Sequence, residues 1–405
     1  MSECPSPTAT PPDCSAATDA VAQAALSVEA SAAPGVRLHE LDAMRSVLML
    51  LGVVLHAINP YGLDGSWLIA DASRSPLLEA IAIAIHAFRM PAFFVVAGYF
   101  SMLLLGRQAT PGFLRERLRR TLLPTLAVLL TFNLVQVWFL APAGASTGFW
   151  HGALLPALLR GDWLGHLWFL VDLALYCIVL AALRPRLGAL ADGRWRARLA
   201  RPQALPLLLA TAALVPLGSA MAAHVAPMLA TQLAGLVNPE ELLDHAPFFA
   251  VGCLLQLQPA LLRRFSSVGA GVWIGTGIAG AVLLLLPERG GPAVVALAIV
   301  ARTALAWCLV RMVFAGFSRW AGAPSPLFRY LSDASYSIYL FHHLCVVMVA
   351  TALLAMPWPA MAKFGVVLAV AALVPLAMHH VLVRPYATMR WLFNGRPRPA
   401  GRPRD

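Results

Sequence analysis

Ten apolar stretches, each long enough to cross a bilayer as a helix, divide this chain of 405 residues. They run approximately over 43–60, 77–105, 121–141, 164–183, 203–222, 245–262, 268–287, 292–316, 331–355 and 362–383. About 20 helical residues cross the ~30 Å of hydrocarbon in a membrane. Backbone polar groups in lipid must be satisfied within the segment, so each stretch is expected to be a helix. Charged residues make up only 12% of the chain, half the roughly 25% of a soluble domain. The expected fold is therefore all-α, a polytopic membrane bundle of about ten transmembrane helices. The fifth and sixth are the weakest, being interrupted by Pro206, Pro216 and Pro247.

Basic residues then set the direction. The formal charge is +11, but the arginines lie in short clusters between apolar runs, which points to membrane orientation rather than nucleic-acid binding. With the N-terminus in the cytoplasm, 23 of the 30 basic residues fall in cytoplasmic segments and four on the other side. Both termini are thus expected to be cytoplasmic, in an inner-membrane protein. Residues 1–36 have no basic residue and no apolar centre, so they read as a disordered cytoplasmic tail rather than a secretory signal. The bundle domain is expected over 37–393 and a basic tail over 394–405. Six cysteines show no CxxC spacing, and no metal site is expected.

An ionisable side chain inside a membrane span is costly and usually marks a functional site. In the first span Arg45 and His56 are eleven residues apart, within about 20° of the same helical face and ~16 Å apart along the axis. Met49 and Gly52 lie between them. An arginine at one end and a histidine at the other match a coenzyme A thioester, with its anionic head and thin arm. Gly52 would leave room for the arm. The plain alternative is a snorkelling Arg45 and a His56 hydrogen-bonded between helices.

The second span adds His86 and Arg89, read as sharing one face, with Arg89 at about the level of Arg45. His166 opens the fourth span at a depth comparable to His56, followed by Trp168, which also suits a membrane-interface belt. Adjacent His342 and His343 in the ninth span point about 100° apart, so one is expected to face the channel and the other a neighbouring helix. Asp172 could orient a histidine or pair an arginine. Arg302 is expected to pair inside the bundle, and His379 and His380 to be structural. No P-loop, GxSxG, HExxH or CxxC motif is present.

Taken together these residues resemble the membrane acyltransferase-3 family, whose hallmark is an arginine and a histidine separated by ten residues in the first helix, here Arg45 and His56. Further matching stretches are His86-Ala87-Phe88-Arg89-Met90, Phe93-Phe94-Val95-Val96-Ala97-Gly98-Tyr99-Phe100, His166-Leu167-Trp168-Phe169-Leu170, Pro247-Phe248-Phe249 and Ser337 to His343. The likeness runs from about Leu41 to Pro397. One departure is Leu173, where other branches of the family carry glutamate; Asp172 precedes it.

The resemblance implies O-acyl transfer to a glycan hydroxyl, with the nearest likeness to the branch that succinylates osmoregulated periplasmic glucans. Acyl-CoA, most simply succinyl-CoA, would be the donor substrate, and no cofactor would be bound permanently. Arg45, Arg89 and Gly52 would bind the donor. His56 and His166 would be catalytic, with His56 the general base or the carrier of an acyl intermediate. His86, Trp168, His342 and His343 would support them or hold the acceptor. Expected partners are the glucan, the bilayer and the glucan synthesis machinery. Two rival readings are O-acetylation of lipopolysaccharide or another surface glycan, and a transporter, which also buries arginine and histidine.

Overall fold

The structure is a computed structural model that describes residues 39–141, 148–191, 197–199, 201–226, 235–287 and 289–396. The expected tail over 1–36 and the basic tail beyond 396 lie outside the described residues. Every regular element among them is helical.

α1 (His39–Ile58) carries Glu40 and Asp42 in its first turn, where carboxylates suit the helix dipole. A loop over 59–75 leads to α2 (Pro76–Arg107), whose Ser75 cap accepts from the Leu78 N–H and is followed by proline, a regular helix-start pattern. α3 (Thr110–Val128) continues through a π turn into α4 (Leu134–Leu140). Short α5 (Leu155–Arg160) ends at Gly161, which is left-handed at φ 80°. A 3-10 turn, Gly165–Leu167, then feeds α6 (Trp168–Ala191). There follow α7 (Ala204–Ala212), α8 (Leu214–Val225), α9 (Pro239–Leu257), α10 (Pro259–Phe265) and α11 (Ala270–Leu285). The chain closes with α12 (Pro292–Trp320), α13 (Pro326–Leu353), α14 (Ala360–Met378) and α15 (Ala387–Asn394).

Among the described residues, eight helices are long and apolar enough to span a membrane, or nine if α10 and α11, bent by 59°, form one span. The expected ten is not reached by length and apolarity among these residues. The sixth apolar stretch is α9, whose opening turns hold Glu240, Glu241 and Asp244 and are too acidic for that class. Outward faces carry large apolar side chains such as Leu126, Leu130, Leu207, Leu284 and Val381. Helices apolar on their outer faces as well as inside suit lipid, so this is a multi-pass membrane protein.

Contacts give the helix directions. Arg45 of α1 meets Ser332 of α13, and His56 meets His342, so α1 and α13 run parallel. α2 returns antiparallel to α1: Glu79 lies beside Gly62, Arg89 beside Gly52 and Phe100 beside Arg45. α9 runs parallel to α2, with His245 against Phe94 and Phe249 against Gly98. Their crossing is close enough that a Cβ at Gly98 would strike the Phe249 carbonyl, and one at Gly252 the Val95 carbonyl. Small residues at such crossings let membrane helices approach backbone to backbone.

At the end of the bundle away from Arg45, the 59–75 loop is clamped down. Lys363, the chain's single lysine, donates to both carboxylate oxygens of Asp71 at 2.7 and 3.0 Å, and both side chains are 2% exposed. Arg74 binds the Gly62 and Leu63 carbonyls at 3.0 and 2.7 Å. At the other end, Arg119 donates to the Gly395 carbonyl, Ser337 to Asn394 Oδ1, and Arg396 pairs with Asp333. Residues 394–396, read from sequence as the start of the tail, are therefore docked on the bundle. These particular partners, spread over α3 and α13, hold them there.

Two outcomes are expected. Gly252→Leu should destabilise the detergent-solubilised protein by about 1–3 kcal/mol or more through overpacking, read as a fall in its thermal midpoint. Lys363→Met should cost about 3–5 kcal/mol by leaving Asp71 buried and unpaired, and the double variant with Asp71→Leu should recover most of that loss.

Candidate active site

Four histidines from three separate stretches of chain converge at the mid-to-far level of α1. His56 comes from α1, His166 from the 3-10 turn before α6, and His342 and His343 from α13. The His56 ring lies parallel to His342 with centroids 5.0 Å apart, and edge-on to His343 at 5.2 Å and His166 at 6.0 Å. His166 in turn stacks on His343 at 4.6 Å. Both members of the adjacent pair thus reach His56. His343 also reaches the neighbouring α4, and both rings meet His56 because His56 and His166 approach α13 from two sides.

The acceptors assign the tautomers. His342 Nδ1 lies 2.6 Å from the Tyr339 carbonyl, which can only accept, so Nδ1 carries the proton. In the neutral ring Nε2 is then the acceptor, and it receives Nδ1–H of His56 at 2.7 Å. His56 Nε2 is left as the basic nitrogen. His343 Nδ1 likewise donates to Gln136 Oε1 at 2.7 Å. Both ring nitrogens of His166 are buried with no hydrogen-bond partner, although Tyr339 Oη anchors its backbone carbonyl at 3.1 Å. Buried polar atoms are nearly always satisfied by protein or water, and the backbone at Tyr339 and Leu340 is the polar surface nearest this ring. Among the described residues no group of three or more His, Cys, Asp or Glu could hold a metal ion.

Two arginines occupy different depths. Arg45 is 35% exposed, donates to Ser332 Oγ at 3.0 Å, lies 3.5 Å from Asp42 and sits over the Phe100 ring. Arg117, Arg120 and Arg396 surround it with further positive charge. Arg89 is only 6% exposed, and its Nε is buried without a partner. Its guanidinium abuts Gly52 and Tyr339. Counting along α1, Gly52 lies about 6 Å from His56 and about 10 Å from Arg45. Arg89 is therefore near the histidines and not level with Arg45 as the sequence suggested. A Cβ at Gly52 would strike the Arg89 guanidinium and the Tyr339 ring, so the space left by this glycine is filled by those two groups. Just below, a small cavity lies between Met49, Arg89, Phe93, Phe169 and Tyr339.

Other expected positions fall elsewhere. His86 is exposed on α2. The buried stripe of that helix is Ile85, Arg89, Phe93 and Val96, and His86 is one residue, about 100°, off it. Trp168 turns away from the imidazoles toward Phe94 and His245. Asp172 is buried, with Oδ2 unpartnered, and has no ion pair with an arginine or histidine among the described residues. It follows Trp168 by one turn, on the stripe that leads to Tyr176, whose hydroxyl donates to the Leu242 carbonyl of α9. Arg302, expected to pair inside the bundle, is exposed on α12, where its charge acts on Asp244 of α9. His379 and His380 pack with Ser337 and Tyr330, away from the cluster. Sequence reading missed Gln136, Ser332 and Trp67, the last of which lies edge-on to His343 at 5.6 Å. Gln136 left a usable signal, being one of two amides, with Asn133, in the apolar stretch 121–141.

The family match supplies the class of this membrane-embedded helical bundle: the chain belongs to the acyltransferase-3 family, whose acyltransferase domain matches residues 38–380, and it is an acyltransferase. Among similar proteins are the glucans biosynthesis protein C of Salmonella paratyphi B (strain ATCC BAA-1250 / SPB7), of Salmonella enteritidis PT4 (strain P125109) and of Salmonella choleraesuis (strain SC-B67). Each is 29% identical over 333 residues, covering 77% of this chain and 83% of the relative. No solved structure matches significantly.

His342→Phe keeps the ring but removes the acceptor for His56. Acyl transfer by the purified protein should fall by about 10²-fold, the scale of an impaired general base, while its elution from a sizing column stays that of the parent.

Proposed function

We propose that this acyltransferase moves a succinyl group from coenzyme A on the cytoplasmic side of the inner membrane to hydroxyl groups of osmoregulated periplasmic glucans. The observation that carries the reading is the hydrogen-bonded chain from the Tyr339 carbonyl through His342 to His56. It leaves a basic His56 Nε2 on the same helical stripe as Arg45, about 16 Å above it. That span suits a thioester whose phosphates are held at the arginine-rich mouth while its carbonyl meets the imidazole. The name of the Salmonella relatives supports a glucan acceptor.

In this reading the arginine-rich end, with Arg45, Arg117, Arg120 and Arg396, faces the cytoplasm. The excess of arginine there follows the usual charge rule for membrane proteins. A glucan hydroxyl enters from the other end. His56 Nε2 removes its proton as the oxygen bonds to the thioester carbonyl carbon. His342 Nε2 holds the Nδ1–H of the resulting imidazolium. A neutral histidine is suited to this proton transfer near neutral pH. His166, with both nitrogens unclaimed, donates a hydrogen bond to the carbonyl oxygen as negative charge develops. The carbon–sulfur bond then breaks, and the coenzyme thiolate recovers the proton from His56, leaving the ester and free thiol.

The test uses purified protein in detergent, labelled succinyl-CoA and isolated glucan. Label should appear in the glucan with no second compartment, which transport alone would not produce. His56→Ala should lower transfer by about 10²–10⁴-fold. Undiminished transfer by a well-folded His56→Ala protein would remove this histidine from the mechanism.

A further inference from the structure

We infer that Arg89 selects the acyl group, by pairing with the free carboxylate of a donor whose acyl chain ends in an acid. The inference rests on the reading of His56 as the reacting end of the site.

A guanidinium with 6% exposure inside a membrane bundle needs an anion. Among the described residues no carboxylate forms an ion pair with Arg89, and its Nε has no partner at all. The groups packed around it are Gly52, Tyr339 and the apolar cavity lining of Met49, Met90, Phe93 and Phe169. None is acidic. Arg45, by contrast, is one-third exposed and already engages Asp42 and Ser332. The anion missing at Arg89 is therefore one that arrives deep in the bundle with the substrate.

Depth identifies which part of the donor that is. The nucleotide phosphates of coenzyme A belong at the mouth, beside Arg45, Arg117, Arg120 and Arg396. The pantetheine arm is uncharged. Near the thioester, the one remaining anionic group is a carboxylate on the acyl chain itself. Arg89 abuts Gly52, one helical turn or about 6 Å from His56 along α1. In a four-carbon half-thioester two methylenes separate the carbonyl carbon from the carboxylate, about 4–5 Å by ordinary bond lengths. A carbonyl at His56 Nε2 thus puts that carboxylate within reach of Arg89.

Gly52 and Tyr339 hold the reader in place. Any side chain at Gly52 would collide with the guanidinium, and Tyr339 backs it from α13 while anchoring the carbonyl of His166. An acetyl or butyryl chain would leave the arginine buried and uncompensated. Discrimination against such chains comes from the cost of that unpaired charge as well as from a lost contact.

The deciding experiment compares succinyl-CoA with butyryl-CoA, equal in chain length but ending in a methyl group, as donors for the unmodified protein. A kcat/KM ratio of tenfold or more in favour of succinyl is expected, and Arg89→Met should lower that ratio by at least tenfold, with Arg89→Lys between the two. Equal use of both donors by the unmodified protein would overturn the inference without involving any variant. An equal loss for both donors in a folded Arg89→Met protein would do so too, making Arg89 a general support of the thioester. Use of acetyl-CoA with neither of these donors would also overturn the inference, whereas failure of all three would instead remove the coenzyme A reading of the site, an outcome separate from the others.

Discussion

The parallel contact of α1 with α13 is the constraint on which the site depends. Arg45 touches Ser332 and His56 touches His342 along the same pair of helices, eleven residues apart on one and ten on the other. Two helices in register over that length hold the basic mouth and the imidazole cluster at a fixed separation. The hydrogen bond at the far end also chooses a tautomer. Because the Tyr339 carbonyl can only accept, the proton order runs outward through His342 and leaves His56 with one free basic nitrogen. In a low-dielectric interior such a chain is worth most when every member is satisfied. The orphaned nitrogens of His166 and the Nε of Arg89 stand out against it.

The distribution of charge along this axis has a simple logic. At the mouth, cations are numerous and partly solvated, as suits a mobile polyanion. Within, Arg89, the one buried arginine among the described residues, sits in an apolar lining, where an unpaired charge costs far more. Position along the axis therefore divides one residue type between two settings, a partly solvated end and an apolar interior.

Much of this was legible from residue order alone. The Arg45–His56 stripe follows from helical periodicity, and most spans from run length. What was not legible depends on rotation and tertiary approach. Arg89 was read as level with Arg45 because its depth depends on where the loop over 59–75 returns the chain. His86 was read as facing inward because i, i+3 spacing alone leaves the buried stripe unspecified, and the structure puts that stripe through Ile85 and Arg89. The joint use of His342 and His343 needs two neighbours approaching α13 from different sides, which no single-helix projection contains. α9 shows the limit of counting: its acids remove it from the strongly apolar set, yet it crosses α2 backbone to backbone at Gly98 and Gly252.

The loop over 59–75 has its anchors outside the imidazole cluster, in the Asp71–Lys363 pair and the Arg74 contacts, while Trp67 leans on His343. Fastening and facing are thus assigned to different residues of one short segment. A substitution on its inward surface therefore leaves the fastening of the loop to the helices intact.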